Sequence, residues 1–145
     1  MPTELGAPYT PNWTGYPPGM ARDDYALWIL YRPTIPDNVE RIYFNVFLGP
    51  GPADSPEIPA ELKDFWRRKN QLRADVILEF PDRVRIVEFR KNASTGTMGR
   101  LQAYSMLLRM DNPFTQPVEL EIVTDRTAQI LESLTRQAGI ILTIL

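Results

Sequence analysis

The sequence predicts a single α+β domain, one mixed β-sheet flanked by helices, preceded by an extended proline-rich arm. Three observations predict it. The 145 residues are 43% hydrophobic and 23% charged, which suits one packed core in a chain of single-domain length. Stretches of period-two alternation rich in β-branched and aromatic residues interchange with stretches of helical spacing, and turn residues separate them. Five of the fourteen prolines fall within the first 20 residues, where they disfavour both helix and central strand. The expected division is an arm over 1–20 and a globular unit over 21–145.

The arm carries Tyr9, Trp13 and Tyr16. Its composition allows a disordered tail, but aromatic residues are scarce in such tails. They suit anchors seated in a partner's pockets, so these three are the candidate partner-binding residues. Ala21 to Tyr31 reads as the first helix, with Asp23 and Asp24 in its first turn and Pro33 just beyond its end; its apolar residues run almost all round. Glu40 to Leu48 is a strand with Ile42, Phe44 and Val46 on one face. Gly49 to Pro59 is a loop. Ala60 to Arg73 is a helix with Leu62, Phe65, Trp66 and Leu72 as its apolar stripe and Arg67, Arg68 and Lys69 on its polar part.

Ala74 to Met110 organises the chain. It reads as strand, turn, strand, loop, helix. Asp75 starts the first strand, and Pro81, Asp82 and Arg83 make the turn. Glu88 and Arg90 lie near the end of the second strand, on one face with Ile86. Pairing about that turn sets Asp75 roughly opposite Glu88, so two carboxylates converge with a cation beside them. Such a pair suits a divalent metal, since Mg²⁺ is held by one or two carboxylates plus waters and phosphates. Asn92 to Gly99 is a small-residue loop whose Ser94, Thr95 or Thr97 can cap the next helix. In that helix Met98, Leu101, Ser105 and Leu108 form a stripe, broadened by Tyr104 and Leu107, and Arg100 and Tyr104 stand one turn apart. Val118 to Thr124 is a strand. Arg126 to Ala138 is a helix with Ile130, Leu131 and Leu134 inward, closed by Gly139. Ile140 to Leu145 is a last apolar strand that needs cover, within the sheet or from another chain.

Asp75, then Glu88-Phe89-Arg90, then Arg100-Leu101-Gln102-Ala103-Tyr104 resembles the motif order of the PD-(D/E)XK nuclease superfamily. The resemblance implies a restriction-endonuclease-like αβββαβ core, with an extra helix before the motif hairpin. It implies Asp75 and Glu88 as metal ligands, Mg²⁺ as cofactor, and Arg90 in the position of the motif lysine, with Lys91, Arg100 and Tyr104 as lesser site residues. It also offers Asp24 as an acidic residue of the first helix near the metal. Two positions depart from the pattern. Arg90 replaces lysine and stays protonated, so it cannot serve as a base. Arg100 stands where the superfamily often has glutamine, and Gln102 falls on another helix face. From the strand RIYFNVFLGPG to the strand VEFRK the chain also looks like small bacteriophage proteins of this superfamily.

Composition excludes much else. There is no cysteine and no histidine, hence no disulfide framework, Ser-His-Asp triad, Cys-His dyad or histidine-bound zinc. No run of about 18 apolar residues and no signal-peptide pattern is present, so a virion or host-cytoplasm location without membrane contact is expected. Net charge is −2, but Lys63 to Arg109 holds 11 Lys and Arg against 5 Asp and Glu. That local excess fits double-stranded DNA at Arg67, Arg68, Lys69 and Arg100, and equally an interface with an acidic neighbour. Two readings follow. One is a non-catalytic structural or assembly protein of a phage particle, for example of its head-tail or connector region, oligomeric and bound to other subunits through its arm. The other is a Mg²⁺-dependent DNA endonuclease or exonuclease.

Overall fold

The computed structural model describes residues 3–50 and 56–145, without the side chains of Arg68 and Lys69. Part of the expected 49–59 loop therefore lies outside the described residues. In order, the elements are α1 (Arg22–Tyr31), β1 (Arg41–Leu48), α2 (Lys63–Asn70), β2 (Leu72–Glu79), β3 (Val84–Phe89), α3 (Thr95–Asp111), β4 (Val118–Thr124), α4 (Gln129–Ala138) and β5 (Ile141–Ile144). The five strands form one mixed sheet in the order β1-β2-β3-β4-β5. β1, β2 and β3 are antiparallel neighbours, whereas β4 and β5 add in parallel after crossovers through α3 and α4. This is the mixed α+β sheet that the sequence predicts.

Both faces of the sheet are covered, which is why Val76, Ile77 and Leu78 of β2 and Ile86 and Val87 of β3 are consecutive apolar residues and not an alternation. On one face Leu101, Tyr104 and Leu108 of α3 and Leu131 of α4 pack on Ile77, Ile86 and Ile122. On the other, Leu27, Trp28 and Tyr31 of α1 pack on Val76, Leu78, Val87 and Phe89. Trp28 stands edge-on to Phe44 and Phe89, with centroids 5.2 and 6.0 Å away. A buried tie fixes α1 to this face. The Tyr31 hydroxyl donates to Glu121 Oε1 at 2.7 Å, and Glu121 also accepts from Arg85 (3.2 Å) and from Thr143 (2.6 Å).

Several expected boundaries move, each for a tertiary reason. The helix foreseen over 60–73 is a short 3₁₀ turn and then α2, which ends at Asn70. Leu72 and Arg73 are taken into β2 because they pair with Leu48 and Phe47, so Asp75 lies inside the strand and does not start it. The stripe Leu62, Phe65, Trp66 and Leu72 is exposed, at 41–63%. Val46 does not share a face with Ile42 and Phe44; it packs in the opposite core. Asn45 between them has φ of 51°, a left-handed conformation that reverses the side-chain alternation, and Ala74 opposite Val46 changes face with it. α3 starts at Thr95, inside the predicted loop, because Ser94 N–H donates to Thr97 Oγ1 at 3.2 Å and closes the cap. α1 is not buried all round, since Ile29 and Leu30 face solvent. α4 starts at Gln129, three residues late, and Ile130 is 60% exposed where an inward position was expected. Gly139 ends it at φ of 71°.

The arm lies against its own chain. Glu4 and Tyr9 exchange backbone hydrogen bonds with Phe47 and Ile42 and so cover the outer edge of β1. Tyr9 and Trp13 pack on each other and on Phe44, and Tyr16 stacks on Tyr25. The aromatic residues expected to seat in a partner thus find intramolecular seats, although Tyr16 stays 54% exposed. β5 is the opposite edge of the sheet, with Ile141 and Ile144 partly exposed. Among the described residues no helix is long and apolar enough to cross a membrane.

Candidate active site

The hairpin register places the acidic pair. Phe80 N–H donates to the Arg83 carbonyl at 2.8 Å and closes the turn. Ile77 then pairs with Ile86 and Val76 with Val87, which carries Asp75 to a place opposite Glu88. The expectation that these two converge therefore holds in the structure. They lie in a cleft of about 320 Å³ where β2 begins and β3 ends, lined also by Asp24, Asn45, Arg73, Arg90, Arg100 and Tyr104. α1 brings Asp24 from one side of the sheet and α3 brings Arg100 and Tyr104 from the other.

Asp75 Oδ2 accepts from the Phe89 backbone N–H at 2.9 Å, a bond that crosses the hairpin and fixes this carboxylate. Glu88 is 3% exposed. Burial, a hydrogen bond with Asp75 and the Asp75 charge push its carboxyl far above the ordinary range, against Arg100 and a hydrogen bond from the Tyr104 hydroxyl. Two carboxyls so placed cannot both ionise at neutral pH without a cation between them. Asp24 is pushed up to about 6, chiefly by burial and then by the Asp75 charge, with Arg90 opposing. The Tyr104 hydroxyl is held neutral by burial and by Glu88.

The contrast with Glu79, also on β2, is informative. Burial would raise that carboxyl too, but hydrogen bonds from Arg41, Gln116 and Tyr43 hold it below its usual value. Glu79 has the donors of a structural carboxylate. Glu88 faces a second carboxylate.

The remaining expected residues divide. Arg90 and Arg100 line the cleft and are exposed. Lys91 and Gln102 are exposed and not among its lining residues. Arg67 pairs with Glu4 at 3.3 Å and with Asp64 at 3.1 Å, while the side chains of Arg68 and Lys69 lie outside the described residues. Sequence reasoning missed Arg73, hidden in a presumed helix, and Asn45, whose only signal is a polar residue within the apolar run YFNVF. It also missed that the arm reaches the site. Gly19 and Ala21 line the cleft, and a Cβ on Gly19, at φ of 71°, would run into the Asn45 side-chain amide.

Among the described residues no three Asp, Glu, His or Cys side chains form a ready cage for a metal. Mg²⁺ does not need one. A buried acidic pair that must hold a proton in place of a cation, open to a cleft with room for water, fits a hydrated divalent ion.

No family model matches the chain, and no curated protein matches its sequence. Among solved structures, the fold is similar to a repair endonuclease from Pyrococcus abyssi (TM-score 0.52, 14% identity, over 92% of this chain and 49% of that one). A structure of EndoMS with double-stranded DNA also matches (TM-score 0.48, 14% identity, over 92% and 48%). The chain spans about half the length of either. The nuclease-like fold expected from the motif order is the fold found.

Proposed function

We propose that the chain is a divalent-cation-dependent DNA nuclease of PD-(D/E)XK type, centred on Asp75 and Glu88. The observation that carries this reading is the acidic pair itself, set in a cleft rimmed by Arg73, Arg90 and Arg100. Glu79 and Glu121 are each supplied with cationic or hydroxyl donors, whereas Glu88 is pressed against a second carboxyl. Asp75 and Glu88 would hold Mg²⁺, with Asp24 lining the same cleft. The cation supplies an acidified water and charge neutralisation at a phosphate. The protein's own part is to bind and orient. Arg90 and Arg100 contact the phosphodiester as fixed positive charges, and Tyr104 and the Phe89 N–H lock the two carboxylates. Arg90 cannot take a proton, so the base is a carboxylate or solvent.

The assembly-protein reading drew its strength from an arm free to reach a neighbour. The arm's engagement with β1 removes that support. Arg90 in the lysine position, Arg100 in the glutamine position and the partly exposed edge strand β5 still favour it.

Incubation of supercoiled and linear DNA with Mg²⁺ or Mn²⁺ tests the proposal. Wild type is expected to nick or cut, chelation to stop it, and Arg90→Lys to cut at least as fast. Silence of both proteins would return the chain to a non-catalytic role.

A further inference from the structure

Among the described residues, Asn45, Asn92 and Asn112 have left-handed backbone without being glycine. Asn92 and Asn112 stand where such backbone is ordinary, in the turn after β3 and at the end of α3. Asn45, with φ of 51°, stands in the middle of β1. Asparagine adopts this conformation more readily than most residues, but inside a strand it costs free energy and interrupts the ladder.

Its position bears on the cleft. β1 and β2 pair Phe44 with Val76 and Val46 with Ala74, so Asn45 stands opposite Asp75. Phe44 and Val76 pack in the core under α1, whereas Val46 and Ala74 pack in the core under α3. The two-stranded ribbon therefore turns over at this pair. The described pairing of β2 with β3 runs from Glu79 to Val76, while its pairing with β1 goes on to Leu72. β2 thus leaves β3 where the ribbon turns over, and the cleft opens in the gap, lined by Leu72, Arg73 and Asp75 on one side and Glu88, Phe89 and Arg90 on the other. Glu88 and Phe89 stay paired with β4. Asp75 spans the gap, its Oδ2 accepting from the Phe89 N–H at 2.9 Å, where a backbone carbonyl of β2 would stand in an unbroken sheet. With ordinary strand backbone at residue 45, β2 would continue along β3 and the ladder itself would satisfy that N–H. Local interruptions of a strand end pairing and re-aim side chains in this way beside active sites.

We propose that Asn45 is a positioning residue, whose left-handed backbone parts β2 from β3 and so places the Asp75 carboxylate across the gap, beside Glu88. As part of a cation site the inference rests on the nuclease reading and deepens it. As the device that places Asp75 it stands without that reading.

The test reads the Phe89 backbone amide by NMR in chelator, with Asp75→Ala giving the signal of the lost bond. Asn45→Gly leaves the left-handed backbone open and should keep the wild-type signal. Asn45→Ala should move the signal towards that of Asp75→Ala. Asn45→Val should move it further, since a β-branched residue tolerates positive φ least; if the valine variant does not fold, glycine and alanine decide. Asn112→Ala places the same strain outside the cleft, and should lower the melting temperature without moving Phe89. Mn²⁺ affinity should weaken by about tenfold to a hundredfold in Asn45→Ala, the range for residues that orient a metal ligand, and stay near wild type in Asn45→Gly. A Phe89 signal unmoved by Asn45→Ala, or moved as far by Asn45→Gly, overturns the inference. The two ideas fail separately. A wild type that binds no Mn²⁺ while Phe89 follows the order glycine, alanine, valine sinks the nuclease reading alone. Glu88-dependent cutting with a Phe89 signal indifferent to residue 45 sinks the positioning role alone.

Discussion

Glu88→Gln is expected to abolish cation-dependent DNA cleavage while leaving the fold intact. The side chain is 3% exposed, receives a hydrogen bond from Tyr104, and shares another with Asp75. Glutamine has the same shape. Its carbonyl accepts from Tyr104 and its amide donates to Asp75, as the protonated carboxyl does. What it cannot do is ionise to take a cation. Loss of one electrostatic element from a transition-state site costs roughly a hundredfold to a thousandfold in rate, so cleavage of supercoiled DNA should fall by at least that much, with circular dichroism unchanged. Asp75→Asn should do the same, with some loss of order where its Oδ2 accepts from the Phe89 N–H.

The second expected result is a cation-free protein that becomes less stable as pH rises. The carboxyl of Glu88 is raised in the folded chain by burial and by Asp75, and that of Asp24 is raised to about 6. A raised carboxyl binds more protons folded than unfolded, so folding stability falls with pH. The cost is absent below the ordinary carboxyl range, near pH 4. It grows as the unfolded chain ionises while the folded one does not. Asp24 contributes its share by about pH 7, whereas Glu88 goes on costing well above that. Thermal melts in chelator from pH 5 to pH 8 should show a falling midpoint. Glu88→Gln should flatten the fall and exceed wild type at pH 8. Added Mg²⁺ should recover wild type at pH 8 and leave Glu88→Gln unmoved.

The parts of this molecule that were legible in the sequence are those fixed by local pattern. The hairpin is one: alternation over 76–80 and 84–89, with Pro81 and Asp82 between, sets the strands, and their register sets Asp75 against Glu88. β4 is another, at Val118–Thr124. What was not legible depends on distant partners. Leu72 and Arg73 have helix-compatible propensities, and their place in β2 comes from Leu48 and Phe47. The reversal at Asn45 rests on one residue's left-handed backbone. Tyr9 and Trp13 signal an anchor in any setting, and nothing local says that the anchorage is Phe44 of the same chain. Arg73 entered the cleft with the strand, so the error in helix length concealed a site residue. Asp24 was visible as a helix-end charge and, through the resemblance, as a candidate acid near the site, but its approach to Asp75 depends on how Trp28 and Tyr31 seat α1.

The most direct measurement is calorimetric titration of the wild-type protein and Glu88→Gln with Mg²⁺ and Mn²⁺ at pH 7, in buffers of different ionisation heat. On the proposed assignment a cation displaces the proton that burial and Asp75 favour on Glu88, so wild type should bind at a carboxylate site and release a proton to buffer, and Glu88→Gln should do neither. Absence of binding by wild type, or binding undiminished in Glu88→Gln, would contradict the assignment of Asp75 and Glu88 as the cation site of a nuclease.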